Sequence, residues 1–288
     1  YLLSPAASAN LRAFEALERV AASLDAPRDL VVPRFVVRLD TPWQTEDWRR
    51  RQLGRPKSWV VDAVGIYEAT ARRLGREVQA LGARRIVLVG SSELTVALLA
   101  ELVQQERQES FLRPGEPSRP LFDQITLVAE DATDVLADHL LTQERFGGPV
   151  GPAVSTVEEG RTVDLLGSLA EPDADAGPAV VVFTDAADYA LTSLAMRVAV
   201  RNRHVTVLAR GGEDAGPEVA PVLENLSVFG LGLAHDGELP EDSWERAARL
   251  LHASYLRDIP PDQTPKPSQL AWDEGLPDFY KLGNLRQI

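Results

Sequence analysis

The chain has 288 residues, of which 44% are hydrophobic, and it carries a net charge of −13 and no cysteine. Its length allows two or three modest domains, and its acidity disfavours general nucleic-acid binding, because phosphate contacts need clustered Lys and Arg. The absence of cysteine excludes disulfides, thiolate nucleophiles and Cys-based zinc sites. No apolar run approaches the ~20 residues that span a bilayer and no signal peptide is visible, so we expect a cytoplasmic chain.

Residues 1–56 predict a helix, a strand and a second helix. The stretch "SANLRAFEALERVAASLD" has apolar residues at helical spacing. "RFVVRLD" is rich in β-branched residues, and "PWQTEDWRRRQLG" has a proline near its first turn and a glycine past its end. This order lacks the opening strands of an α/β domain. Because the chain also begins with Tyr1 rather than Met, we expect it to be part of a longer protein, in which a membrane or channel segment could precede it.

Residues 57–82 predict a linker helix. The apolar residues of "SWVVDAVGIYEATARRLGREVQALG" recur at helical spacing from Val61 to Leu81 and form one face. We therefore expect one long amphipathic helix that joins the first unit to the next.

Residues 83–239 alternate between strand and helix patterns. Predicted strands are "RRIVLVG", "ITLVAED", "RTVDLLGS", "AVVVFTD" and "HVTVLARGG", and predicted helices are "ELTVALLAELVQQ", "TDVLADHLLTQERF" and "ADYALTSLAMRVAVRN". Strands that are apolar along nearly their whole length, alternating with helices, indicate a parallel sheet covered on both faces. The predicted fold class is α/β: a Rossmann-like doubly wound sheet, preceded by the carboxyl half of another such unit.

Residues 240–288 break this alternation and predict a small helical module. "PEDSWERAARLLHASYLRDI" is a helix that begins at Asp242 or Ser243. A loop rich in proline and polar residues follows, and then an aromatic, irregular tail.

The sheet region resembles the regulator-of-potassium-conductance family, also called TrkA-N domains. "VVVFTDAADYALTSLAMRVAVRN" is similar to that family's fourth strand, where a short acidic turn, here Asp185 and Asp188, leads into a helix. "RFVVRLDTPWQTEDWRR" is similar to the fifth strand and helix of a preceding copy. In this arrangement residues 57–82 take the place of the helix that connects the copies.

The carboxyl-terminal module resembles the ryanodine-receptor repeat domain, or RyR domain. The resemblance rests on "WERAARLLHASYLR" and "PSQLAWDEGLPDFYKLGNLRQ", in which the matching residues are His252, Pro267, Ser268, Trp272, Leu276, Pro277, Asn284 and Arg286. One residue, Gly275, is extra before Leu276. Together the two resemblances cover almost the whole chain. They imply a bacterial regulatory protein of a build that is associated with channel-like membrane segments or with nucleotide signalling, and they bring no catalytic residue.

The turn after the first strand of the sheet region departs from the dinucleotide-binding fingerprint. Gly90 fills the first glycine position, but Ser92 and Thr95 stand at the second and third. Two interpretations stay open. The turn is either purely structural, or a modified nucleotide site for NAD, ADP-ribose or an adenine nucleotide. In that site Gly90, Ser91 and Ser92 would meet the phosphates, and Glu130 or Asp131 would meet the ribose.

Other polar residues also carry two interpretations. Asp185 and Asp188 follow a strand of the sheet region, so they either cap a helix or contact a ligand. In the RyR-like module His252, Trp272, Asn284 and Arg286 either belong to a small core or line a ligand pocket. The four histidines lack the spacing of a zinc site.

These patterns predict a non-enzymatic regulatory protein that binds a nucleotide or related small ligand and passes a conformational change to an attached partner. The alternative is a dimerisation and protein-interaction scaffold without a bound nucleotide. An NAD-dependent oxidoreductase is the third interpretation. An incomplete first unit would expose a sheet edge and apolar helix faces, so we expect a homodimer.

Overall fold

The structure contains two sheets, one of two strands and one of seven, and both are built mainly from parallel strand pairs. The computed structural model describes residues 1–23, 34–52, 60–113, 120–144, 152–158, 160–171, 177–212, 215–216, 219–233, 243–257, 259, 267–272, 276–277 and 281. Within them the fold is α/β, as predicted. Every neighbouring strand pair is parallel except one at the edge of the larger sheet.

The first unit forms the predicted helix, strand and helix. They are α1 (Ala7–Ser23), β1 (Arg34–Arg38) and α2 (Pro42–Gln52). Phe14 of α1 is buried, and its ring packs edge-on against Phe35 and Trp48 at centroid distances of 5.9 and 5.4 Å. These aromatic contacts hold α1 and α2 around β1.

The prediction of one helix over residues 57–82 is wrong. Residues Val60–Val64 form a strand, β2, which pairs in parallel with β1, and the helix α3 covers only Ile66–Ala80. Val61 and Val64 fit helical spacing, but the run of β-branched residues at 60–61 favours a strand. Between the two elements, Gly65 is extended, and a β-carbon there would come within 2.6 Å of the carbonyl oxygen of Leu39. A side chain at this position would therefore collide with the backbone of the neighbouring strand, and glycine avoids the collision.

The larger sheet has the strand order of a Rossmann fold. Its elements in chain order are β3 (Arg85–Val89), α4 (Glu93–Leu112), β4 (Gln124–Val128), α5 (Ala132–Glu144), β5 (Ala153–Val157), α6 (Val163–Leu169), β6 (Ala179–Phe183), α7 (Tyr189–Arg201), β7 (Thr206–Arg210), β8 (Ala220–Leu223) and β9 (Leu226–Phe229). The spatial order is β5-β4-β3-β6-β7-β9-β8, with β8 antiparallel to β9. Without that edge strand, the order is the 3-2-1-4-5-6 of doubly wound dinucleotide-binding sheets.

Apolar side chains cover both faces of this sheet, as predicted. Residues of α3, α4 and α5 pack with Ile86, Leu88 and Val182 on one face. Residues of α6 and α7 pack with Val87 and Val181 on the other. Alternate residues of each strand thus enter different cores, as a sheet buried on both faces requires.

Two parts of the sheet differ from the prediction. Residues 161–168 are not a strand: Thr162 accepts a hydrogen bond from the N–H of Leu165 at 3.2 Å and caps the helix α6. The third strand on that side is β5, whose short, half-buried pattern gave no clear strand signal. The hairpin of β8 and β9 was also not predicted.

The predicted helix at the start of the carboxyl-terminal module is α8 (Ser243–Arg257), and a short 3₁₀ turn covers Pro267–Gln269. Ala248, Trp272 and Leu276 form a small buried cluster. Asn284 and Arg286 lie outside the described residues. No helix in the described part of the chain is long and apolar enough to cross a membrane.

A buried carboxylate fastens α8 to the first unit. Asp62 of β2 accepts hydrogen bonds from the backbone N–H and the hydroxyl of Ser243 at 2.5 and 2.6 Å, and from Nε of Arg49 at 2.8 Å. Burial opposes ionisation of Asp62, but the charge of Arg49 and the bonds from Ser243 outweigh it and lower the pKa of the carboxyl. Arg49 also pairs with Glu68 at 2.9 Å. The start of α8 therefore rests on an ionised aspartate of β2.

We predict that Asp62→Asn destabilises the protein by about 3 kcal/mol, because it leaves Arg49 partly unpaired in a buried site. Urea unfolding of the variant and the parent protein measures the difference. Asp47→Asn is the matched control, because Asp47 pairs with Arg51 at 2.6 Å on the surface, and such pairs contribute about 1 kcal/mol or less. Equal losses in the two variants would contradict a special role for Asp62.

A second prediction concerns His139, a buried residue of α5. Burial, and then the charge of Arg107, lower the pKa of His139 to about 4 from its ordinary value of 6.5. Between these two pH values the unfolded chain binds more protons than the folded one, so stability falls as the pH is lowered. Protonation of His139 in the unfolded chain should lower the free energy of unfolding by roughly 2–3 kcal/mol between pH 7 and pH 4.

Urea unfolding of His139→Gln at pH 7 and pH 4 measures this contribution. The variant should lose less stability on acidification than the parent protein. His204→Gln is the control, because it makes the same substitution at an exposed histidine. A pH dependence that is the same in all three proteins would refute the assignment.

Candidate functional site

The candidate site lies where the strand order of the larger sheet reverses. From β3 the chain proceeds to β4 on one side, and from β6 it proceeds to β7 on the other. Ligands of open α/β sheets bind in the crevice at the carboxyl ends of two such strands. Here those ends carry Gly90–Ser92 after β3 and Thr184–Asp185 after β6. Three of the predicted nucleotide-binding residues, Gly90, Ser91 and Ser92, therefore lie at the switch point together with Asp185.

Asp185 accepts the N–H groups of the turn that the sequence predicted to contact a phosphate. Its Oδ1 accepts the backbone N–H groups of Ser91 and Ser92 at 3.0 and 3.1 Å, and its Oδ2 accepts Nη1 of Arg161 at 2.9 Å. Gly90 has a φ of +128°, and a side chain there would collide with the Asp185 carboxylate. Glycine is thus needed here both for the backbone angle and for the approach of this carboxylate.

The internal carboxylate changes what the turn can bind. The first N–H groups of a helix attract anions, because they lack partners within the helix and carry its positive dipole end. In this chain the N–H groups of Ser91 and Ser92, directly before α4, already donate to Asp185, and Glu93 adds a second negative charge in the first turn of α4. A phosphate reaches these N–H groups only by displacing Asp185.

Two residues that depart from the fingerprint connect the turn to β6. The hydroxyl of Ser92 donates to the carbonyl of Thr184 at 3.0 Å, and the hydroxyls of Thr95 and Thr184 lie 2.6 Å apart in a buried position. Thr184 also donates to the carbonyl of Val89 at 3.1 Å. The sequence predicted that Ser92 contacts a phosphate, but its hydroxyl donates a hydrogen bond within the protein.

The two aspartates after β6 have different roles. Asp188 accepts the N–H of Leu191 at 2.7 Å and caps α7, which confirms that prediction. Asp185 does not cap the helix that follows it, so the capping interpretation was wrong for this residue. Its side chain reaches across to the turn before α4, because β6 and β3 are adjacent in the sheet.

The predicted ribose-binding acids reach the same edge of the sheet. Glu130 and Asp131 follow β4, which neighbours β3, and both are exposed. Nearby, Glu158 after β5 accepts the N–H of Thr133 at 3.3 Å. The edge thus carries several carboxylates, and Arg161 contacts another of them, Asp185.

Sequence reasoning missed Arg161 and Thr184. Arg161 belonged to a stretch that was assigned to a strand, which hid its position in a loop at the edge of the sheet. Thr184 is part of the quoted run "VVVFTD", but nothing in its own neighbourhood indicates contact with residues 92 and 95. The pairing of β3 with β6 brings them together, and this pairing is not visible in a single sequence.

Two predicted ligand residues of the carboxyl-terminal module belong to its small core. His252 and Trp272 are buried, with ring centroids 6.1 Å apart. Nε2 of His252 lies 2.9 Å from the carbonyl oxygen of Leu270, and the charged groups of Arg249 and Lys281 each lie 5.8 Å from the Trp272 ring centroid. This packing agrees with the core interpretation of His252 and Trp272. A ligand role for them stays a prediction.

Comparison of the chain with protein-family models, with curated proteins and with solved structures found no significant match in any of the three. The resemblances to TrkA-N and RyR domains therefore stay predictions from the quoted residues. The architecture that stands independently of them is an α/β fold with a mostly parallel seven-stranded sheet.

Proposed function

We propose that the chain is a non-enzymatic regulatory protein in which a nucleotide or related small anion competes with Asp185 for the turn at Gly90–Ser92. The observation that carries the proposal is the bonding of one carboxylate to two N–H groups of the turn and to Arg161. NAD, ADP-ribose and adenine nucleotides are the ligand classes to consider. Binding would transmit a conformational change to an attached membrane or signalling partner.

The physical argument is one of exchange. A phosphate that enters the turn replaces Asp185 as acceptor of the two N–H groups, and it also offers Arg161 a new anionic partner. Displacing Asp185 breaks a direct contact between the turn after β3 and the loop after β6. The ligand would then favour a state in which these two segments are arranged differently, and differential affinity for two states is what shifts a population.

The sequence offers little for redox chemistry at this edge. The three lysines of the chain are Lys57, Lys266 and Lys281, so none lies within the larger sheet region. A Tyr–Lys or Lys–His pair of the kind that moves protons during hydride transfer therefore has no lysine to draw on there. This argument keeps the oxidoreductase as the third candidate.

We predict that Asp185→Ala binds NAD, ADP-ribose or AMP at least roughly tenfold more tightly than the parent protein, a difference of about 1.4 kcal/mol. Removing the carboxylate frees two N–H groups and Arg161 and removes a charge that repels phosphate. Isothermal titration and the ligand-induced shift of the melting temperature both measure this change.

Asp188→Ala is the matched control for this experiment. It removes an aspartate only three positions away and costs α7 its cap, which is worth about 1 kcal/mol, but it leaves the turn intact. Its nucleotide affinity should equal that of the parent protein. Equally tight binding by the parent and by Asp185→Ala would refute competition, and no binding by either protein would overturn the nucleotide proposal in favour of a scaffold.

A scaffold that forms homodimers is the second candidate, and α7 supplies the observation that favours it. Tyr189, Met196 and Val200 lie on one side of this helix at helical spacing and are 91, 42 and 63% exposed. Exposed apolar side chains grouped in this way are typical of surfaces that bind another protein. A second copy of the chain is the partner we propose.

We predict that Val200→Glu converts the dimer to a monomer, because it places a charge within this apolar stripe. Light scattering after size exclusion, at several protein concentrations, measures the mass. Leu141→Glu on α5 is the control, because Leu141 is similarly exposed but lies on a different helix, and it should remain dimeric. A parent protein that is monomeric at every concentration would exclude this candidate.

A further inference from the structure

Arg210 is the last residue of β7, and its side chain reaches the loop that follows β6. Its Nη1 donates to the carbonyl oxygen of Thr184 at 3.3 Å. The hydroxyl of Ser92 donates to that same oxygen at 3.0 Å. Because Arg210 and Ser92 share one acceptor, the guanidinium lies directly beside the Gly90–Ser92 turn.

The alternation of side chains along β7 places Arg210 on the face of the sheet that α4 covers. Leu208 lies two positions earlier in the strand, and it packs in the core with residues of α3, α4 and α5. Side chains two positions apart in a strand lie on the same face. Arg210 and the turn that leads into α4 therefore lie on the same side of the sheet, at the carboxyl ends of its strands.

Most of the donors of Arg210 have no partner among the described residues. A guanidinium has five N–H groups, and the bond to Thr184 engages one of them. No described carboxylate pairs with Arg210, in contrast to Arg161, which binds Asp185 at 2.9 Å. The side chain of Arg210 is partly exposed, and none of its nitrogen atoms is buried without a partner. A ligand in the crevice can therefore reach these donors.

The shape of the guanidinium suits a phosphate. Its planar fork can donate two parallel N–H groups to one phosphate. The contact with Thr184 is long, at 3.3 Å, and it is made through Nη1. Nε and Nη2 form the other edge of the fork, so a phosphate can bind there while the bond to Thr184 stays in place.

The charges at the carboxyl ends of the strands differ from one end of the crevice to the other. The exposed carboxylates of Glu130 and Asp131 follow β4. At the opposite end lie Arg210 of β7 and Arg73 of α3, which donates at 2.7 Å to the carbonyl of Gly230, directly after β9. The hydroxyls of a ribose suit the first end and a phosphate suits the second.

From these contacts we infer that Arg210 selects nucleotides that carry two phosphate groups. This role rests on the function proposed above, in which one phosphate takes the place of Asp185 at the turn. The second phosphate lies between the turn and β7 and binds Arg210. A nucleotide with a single phosphate satisfies the turn and Arg161 but leaves Arg210 without an anionic partner. Among the ligand classes of the proposed function, the position of Arg210 therefore favours NAD, ADP-ribose and ADP over AMP.

AMP and ADP are the probes that test this role, with affinities measured by isothermal titration in the Asp185→Ala variant. ADP should bind at least roughly tenfold more tightly than AMP, since a charge-assisted contact of this kind has about that value. Adding Arg210→Gln should abolish the preference by weakening ADP binding and leaving AMP binding unchanged. Arg197→Gln is the matched control, because Arg197 also donates to one backbone carbonyl at 3.3 Å but lies two turns into α7.

Three further measurements separate a charge contact with the second phosphate from a structural role of Arg210. Arg210→Lys should keep part of the preference for ADP, because lysine keeps the charge and loses the fork. In the protein that retains Arg210, the preference should shrink as NaCl is added, because salt screens a partly exposed contact. Inorganic pyrophosphate should bind more weakly than ADP, because it lacks the ribose that Glu130 or Asp131 is predicted to contact.

The possible failures give different results. Arg210 does not select the second phosphate if Asp185→Ala tightens nucleotide binding but ADP and AMP bind equally, or if Arg210→Gln weakens both nucleotides to the same extent. Either result leaves the function proposed for the turn intact. A preference that NaCl does not change would contradict a charge contact, and pyrophosphate that binds as tightly as ADP would overturn the selection of nucleotides. If neither AMP nor ADP binds, the role of Arg210 and the proposed function are both overturned.

Discussion

Contacts between separate elements of the fold depend on aspartates that accept N–H groups at, or directly before, the starts of helices. Three contacts have this form: Asp40 with Ile66 of α3 at 3.0 Å, Asp62 with Ser243 of α8 at 2.5 Å, and Asp185 with Ser91 and Ser92 before α4 at 3.0 and 3.1 Å. Each carboxylate also binds an arginine, which is Arg38, Arg49 or Arg161 respectively. The helix end and the arginine together offset the cost of holding a carboxylate away from water.

Two of these contacts share one geometry. Asp40 follows β1 and reaches the start of the helix after β2, the neighbouring parallel strand, and Asp185 follows β6 and reaches the start of the helix after β3. In both cases a glycine directly follows the neighbouring strand: Gly65 follows β2 and Gly90 follows β3. In both the first unit and the larger sheet, an aspartate after one strand thus accepts N–H groups of the turn or helix start that follows the neighbouring strand. Both turns use these N–H groups within the protein, so an external anion has to compete with a carboxylate that is already in place.

The sequence predicted the parts of the fold in which local pattern and tertiary structure agree. The apolar, β-branched runs at 85–89, 179–183 and 206–210 form central strands of the sheet, because residues buried on both faces must be apolar throughout. Prediction failed where two patterns compete, as at 60–64, and at edge strands such as β5, whose half-buried residues carry a weak signal. Among the residues of the candidate site, Gly90 and Asp185 were predicted from their places after strands, and a ligand role for them stays a prediction. The bonds between Asp185 and the turn could not be predicted, because they depend on which strands become neighbours.

α4 connects the turn to the carboxyl-terminal module. The turn that Asp185 closes lies directly before this helix, and Glu101 on its flank binds Arg246 of α8 through two bonds at 2.6 and 2.9 Å. A helix is stiff over this distance, so a shift at its first turn also moves Glu101, about two turns later. If the proposed ligand displaces Asp185 and shifts α4, the change therefore reaches the contact between α4 and α8.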